Sequence, residues 1–328
     1  MSYFKMNMKI DRNLSDLIKV YSCINIAIGH YLGCLVTAGV TYSLPMRICM
    51  NLSALCVEFF FLLSGYGLME SMKKSDLTIK EYITRRISKV YIPTVLSAVI
   101  WGGYLLISGH LENVTVYSFL SRVAWGWFDG ILWFIKILIV LYFLFFLYKE
   151  IDKKLNSMYS FIALFIICLI GVTFGMIYFE DYMAIAVPAF FIGIAVSRFS
   201  EITSQLLRNH IILFLSVLPT VFLIWAFKNN NLILRNIFCY YVIFILLALC
   251  AHNFGLKFKV PDFLIKTSFD VYLIHNKVLV ILGGLFEIIP FWQFIFFTIV
   301  ATFLFYNFRN YIFKINRINL LLINRNQQ

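Results

Sequence analysis

The sequence predicts an all-α fold, a polytopic membrane bundle of about ten transmembrane helices in a single domain over 1–328, and three observations carry that prediction. Of the 328 residues, 62% are hydrophobic and only 13% are charged, whereas a soluble domain is nearer half apolar and a quarter charged. Apolar stretches of roughly 20 residues, the length that crosses a bilayer, recur from Leu14 to about Tyr311. Lysine and arginine gather in alternate connections between those stretches, the asymmetry that orients integral membrane proteins.

The first span, about 15–36, follows the charged start "MSYFKMNMKIDRNLSD". No small-residue cleavage site comes after its apolar run, so it is read as a retained helix rather than a signal peptide. Spans two and three, about 51–70 and 90–108, flank the basic connection "MKKSDLTIKEYITRR". Span four, about 131–148, follows a longer segment, 109–130, of mixed polar and aromatic residues. Spans five and six (about 158–178 and 181–198), seven and eight (about 209–227 and 234–252), and nine and ten (about 267–288 and 291–311) complete the set. No additional soluble domain is expected.

With a cytoplasmic N-terminus, the cytoplasmic segments hold 22 of the 28 Lys and Arg residues. The opposite side holds only Arg47, Arg122, Lys228 and Arg235, and Lys136 and Lys277 lie within spans. Both termini are therefore assigned to the cytoplasm. The net charge of +12 is a topology signal that also attracts anionic lipid, so the bilayer is the expected partner. Nucleic acid is not, because no aromatic-and-basic binding module is present. Seven cysteines, an odd number without a CxxC pair, argue against a disulfide framework or a zinc site. Metal-ligand spacing, a glycine-rich phosphate loop and a nucleophile-elbow serine are all missing from the sequence, so no metal is expected.

The ionisable residues at membrane depth carry the functional signal, because a charge there is costly and needs a reason. They are Lys19, His30, Glu58, Lys136, Asp270, His275 and Lys277. Lys19 and His30 are eleven residues apart, about 16 Å along a helix axis and about 20° around it, so one face carries both. Snorkelling to the headgroups is the competing account of Lys19. Glu58 falls at the depth of His30 on the next, antiparallel span, where a carboxylate can hold one imidazole tautomer and raise its basicity. A structural ion pair is the alternative. Arg85, Arg86 and Lys89 open span three, with Arg85 and Lys89 on one helical face, an arrangement suited to clamping phosphate. "SFDVYLIHNKV" places Asp270, His275 and Lys277 within eight residues, too dense for a lipid-facing helix. Trp125, Trp127 and Trp133 can stack on a sugar ring or sit as interfacial anchors.

Several segments, in chain order, resemble the membrane-bound acyltransferase family known as acyltransferase type three. Its first span typically carries a basic residue, ten residues and a histidine, here Lys19, Val20 to Gly29, and His30. "VEFFFLLSGYG", from Val57, is similar to the family's V-D-x-F-F-x-x-S-G-Y, with Glu58 where aspartate is commoner. "RRISKVYIP" resembles the basic R-I-Y-P element, with Lys89 for arginine and Ile92 inserted before Pro93. "LWFIKILIVLY", holding Trp133 and Lys136, and "PAFFIGI" are similar to the fourth- and sixth-span signatures. "SFDVYLIHNKVL" resembles S-Y-G-I-Y-L-x-H, with Asp270 for the small residue.

The resemblance implies a multi-pass enzyme of a bacterial cell membrane that moves an acyl group, commonly acetyl from cytoplasmic acetyl-CoA, to a hydroxyl of a carbohydrate acceptor such as a lipid-linked or exported polysaccharide. Acyl-CoA would be a co-substrate, with no permanently bound cofactor. On this reading His30 is the general base oriented by Glu58. Lys19, Arg85, Arg86 and Lys89 meet the CoA phosphates, and Trp133, Lys136, Asp270, His275 and Lys277 line the acceptor site or tunnel. The competing class is a proton-coupled transporter or flippase of a glycan or small solute, which also uses buried His, Glu and Lys. The paired Gly/Pro-broken helices that usually mark a transport site are not evident in the sequence.

Overall fold

A computed structural model describes residues 9–41, 43–111, 114–126, 128–178, 181–208, 232–252 and 259–325, and among these the regular elements are helices. They are α1 (Arg12–Thr37), α2 (Leu44–Met72), α3 (Ile79–Ile107), the short α4 (Val116–Ser121), α5 (Trp133–Asp152), α6 (Ser157–Tyr178), the single turn α7 (Asp181–Ala184), α8 (Pro188–Arg198), α9 (Ser200–Leu207), α10 (Leu232–Ala251), α11 (Asp262–Gly283) and α12 (Phe291–Arg325).

Among the described residues, six segments are long and apolar enough to cross a membrane: Arg12–Thr37, Leu44–Met72, Ile79–Ile107, Gly130–Asp152, Ser157–Tyr178 and Phe291–Lys314. The expected span over 209–227 lies outside the described residues. The expected span over 181–198 is not one helix. Pro188, which has no N–H to donate, occupies the first turn of α8, and a turn over 185–187 separates it from α7. The 11 residues of α8 span only about 16 Å, half a hydrocarbon core. α11 is long enough, but Asp262, Lys266, Asp270 and Lys277 make it too polar to pass as an apolar span.

Lipid tails are as apolar as leucine, so helices in a bilayer associate by close packing rather than by hydrophobic exclusion, and small residues mark the contacts. α2 is the hub. It lies against α8 at a crossing where Gly65 faces the Phe190 carbonyl and Gly193 faces the Leu62 carbonyl, each so close that a Cβ would overlap the oxygen. At the crossing with α1, Gly29 receives the Ser53 side chain, whose hydroxyl lies 3.2 Å from both the carbonyl and the side-chain oxygen of Asn25. Gly29 is eight residues before the end of α1, and Ser53 is nine after the start of α2. That match follows from the short link of residues 38–43, turned at Gly39 with φ +87°. α11 packs on α1 and on α12, which closes the third side.

One end of the bundle is tied by charge. Lys149, only 3% exposed, reaches Asp76 and the Leu77 carbonyl, both at 2.6 Å, and joins the end of α5 to the α2–α3 link. Arg198 Nε donates to both oxygens of Asp152 at 3.0 and 3.1 Å, while Ser197 donates to Glu70 at 2.7 Å, fixing α8 to α5 and α2.

Candidate functional site: a histidine-walled cavity

A cavity of about 470 Å³ opens where α1 ends and α2 and α5 begin. Helical periodicity builds its walls. Met50, Ser53, Ala54, Val57 and Glu58 recur on α2 at the three-and-four spacing that marks one face. Ile26, Gly29 and His30 do the same on α1, and Gly29 lets α2 approach closely enough for the two faces to meet. Gly130, Ile131 and Trp133 at the start of α5 form the third side, with Met183, Ala186 and Tyr272 completing the lining. Its size lies within the range of small-molecule sites.

His30 is half-buried in the wall. Behind it stands His275, with no exposed surface, its Nε2 2.7 Å from His30 Nδ1 and the two rings nearly parallel at 18°. His275 Nδ1 lies 3.1 Å from the carbonyl of Val271, one turn earlier on α11. The hydrogen-bonded neighbour of the His30 ring is thus a second imidazole. Glu58 is buried on the same cavity wall.

A second cluster braces this wall. Asp129 accepts from Lys277 Nζ at 3.1 Å, from Asn276 at 3.0 Å and from the Ile131 backbone N–H at 3.1 Å, while Lys277 also donates to the Leu273 carbonyl at 2.7 Å. Three donors satisfy the Asp129 carboxyl and two acceptors the Lys277 amine out of water, and together the two residues clamp α11 to the start of α5. Tyr272 donates to the Ile131 carbonyl at 2.9 Å, so both flanks of Ile131 are held. The chain enters this cluster through Phe128, whose φ of 53° is costly for an aromatic residue.

The sequence-derived residues fall into separate places. His30, Glu58 and Trp133 line the cavity, and His275 and Lys277 lie in its support. Asp270 is fully buried but turned to α12, where it pairs with Arg309 at 3.0 Å. Lys136 is half-buried on α5, outside the cavity lining. Lys19 stands 3.5 Å from Asp16 with 42% of its side chain exposed, and the cavity lining on α1 extends no further toward it than Ile26. At the start of α3, Ile83–Ile87 form a π turn, wider than an α turn. Arg85 and Lys89 are exposed there, with Arg85 3.4 Å from Glu81, whereas Arg86 turns inward to Ser71 on α2. Trp125 is exposed, and Trp127 lies outside the described residues.

Asp129, Asn276 and Arg309 were missed. Asp129 reads in sequence as an ordinary Asp-Gly turn, and Arg309 as one more orienting charge. The unexplained Lys277 was the available signal that a carboxylate had to be near.

Together these features define a polytopic helical protein with an imidazole pair at the wall of an internal cavity. Residues 13–308 match the family model described as an acyltransferase domain, so the chain belongs to that acyltransferase family, the one its motifs resemble. A search of curated proteins and a search of solved structures each return no match.

Proposed function

We propose that the chain is a membrane O-acyltransferase that takes an acyl group, acetyl in the simplest case, from acyl-CoA and places it on a hydroxyl of a carbohydrate acceptor. The observation that carries this reading is His30, held by a second imidazole at the wall of a cavity, in a member of an acyltransferase family. His30 takes the proton of the acceptor hydroxyl as that oxygen attacks the thioester carbonyl carbon. The carbon–sulfur bond breaks as the tetrahedral carbon collapses, and the proton leaves His30 with the sulfur as a thiol. Such general-base assistance is worth about 10²–10⁴-fold in rate.

Glu58 and Trp133 face the same space and are assigned to the acceptor, the carboxylate accepting from its hydroxyls and the indole offering a flat apolar face. Lys19, Arg85, Arg86 and Lys89 are assigned to the CoA phosphates. The exposed Arg85 and Lys89 support this best, because both charges stand at the surface and the Arg85 guanidinium suits bidentate contact with phosphate. Purified protein in detergent, given radiolabelled acetyl-CoA and a panel of sugars and oligosaccharides, tests the proposal. Labelled acceptor is the expected product. Solute flux in proteoliposomes with no acetyl turnover would instead identify a transporter.

A further inference from the structure

We propose that His275 is a positioning residue for the transfer reaction, one that locks His30 in the tautomer with its lone pair on Nε2. This inference rests on His30 acting as the base. The hydrogen-bond chain fixes the protons in sequence. The Val271 carbonyl can only accept, so His275 Nδ1, 3.1 Å away, is the donor. With the His275 ring neutral, its Nε2 then carries the lone pair. His30 Nδ1, 2.7 Å from that lone pair, must therefore be an N–H, which leaves Nε2 of His30 unprotonated. A base needs its lone pair on the nitrogen that meets the substrate, and a free imidazole has no such constraint.

Packing keeps the partner in place. His275 is wholly buried, its ring lies edge to edge with that of His30 at a centroid separation of 5.0 Å and 5.9 Å from the ring of Tyr272, and its backbone belongs to the helix clamped by Lys277 and Asp129. This is the logic of a nucleophile or base oriented by a third group, with an imidazole and a backbone carbonyl in the role that a carboxylate often fills. When His30 takes up a proton at Nε2, its Nδ1–H bond to His275 becomes charge-assisted and shortens, so the same contact favours the protonated base. Among the described residues, Glu58, Asp129, Lys277 and Tyr272 are titratable groups around the pair.

The test uses the full chain in nanodiscs with 15N-labelled histidine, of which there are only 5. In the wild type, His30 should show a pyridine-type Nε2 and a pyrrole-type Nδ1, its signals assigned by their loss in His30→Ala. His275→Leu should lose that signature and fall about 10²-fold in kcat, with the KM for acetyl-CoA unchanged. His275→Gln, which keeps an acceptor facing His30, should recover to within about tenfold of the wild type. A wild-type His30 with its lone pair on Nδ1, or His275→Leu with wild-type kcat, overturns the inference while the base reading stands. Full turnover by His30→Ala overturns both.

Discussion

At the scale of single residues, the buried ion pairs decide where chemistry is possible. Asp129 and Lys277 are 3% and 7% exposed at the side chain, and each makes further hydrogen bonds, so removing one leaves the other charged and unsatisfied. Lys277→Met alone should lower the stability of the protein by roughly 3–5 kcal/mol, read from thermal unfolding in detergent. Asp129→Asn combined with Lys277→Met should recover much of that loss. If the single and double variants melt alike, the pair does not brace the wall. The density of ionisable groups in "SFDVYLIHNKV" made α11 legible as a functional helix, because membrane depth gives each buried charge a meaning. The partners were not legible. His275 and His30 are 245 positions apart, and nothing in either segment says which of several polar residues at similar depth will meet.

Between helices, glycine sets the distances. A Cβ at Gly65 or Gly193 would strike backbone, which cannot swing aside as a side chain can, so Gly193→Ala should loosen the α2–α8 crossing by about 1–3 kcal/mol. Gly67→Ala and Gly103→Ala, which face open space, should leave the melting temperature within a degree or two. Equal effects at all three positions would show that helix propensity, rather than the crossing, is being measured. The link between α2 and α3 behaves differently, because its stability is electrostatic and wet. Hydrogen bonds from Lys149 and Lys153 hold the Asp76 carboxyl below its ordinary value of 3.8. The folded pKa is depressed, so this contribution is fully present above about pH 4 and is lost as pH falls through the lower folded value. Asp76→Asn should therefore flatten the acid limb of the melting-temperature profile, and an unchanged limb would remove the link from the account. Most helices were legible from apolar length alone, α2, α5 and α6 to within a few residues at one end or both. α8 was not, since Pro188 reads as an apolar residue in a running average yet interrupts the backbone. The π turn over Ile83–Ile87 was likewise invisible, because it changes hydrogen-bond register and not composition.

For the whole molecule, the asymmetry of Lys and Arg predicts which way the bundle faces. Single cysteines placed in a background lacking the native seven, at Asn156 in the α5–α6 link and at Ser108 after α3, should react with an impermeant maleimide from opposite sides, Ser108→Cys in intact cells and Asn156→Cys only after lysis. The reverse pattern would invert the molecule and move the cavity to the other face. With the N-terminus cytoplasmic, as the Lys and Arg asymmetry predicts, the cavity would lie toward the outside and the exposed Arg85 and Lys89 on the cytoplasmic side, an arrangement that suits a donor held at one surface and an acceptor reached from the other. The family and the all-helical class were legible at this scale because motif order survives even where single motifs drift. The acceptor was not, since the cavity wall is assembled from five separate stretches of chain. The measurement that bears most directly on the central claim is the rate of acetyl transfer by His30→Ala beside the wild type, both purified to the same monodispersity and helical content. The account predicts a loss of at least about 10²-fold in His30→Ala with its fold intact, and transfer at the wild-type rate would contradict it.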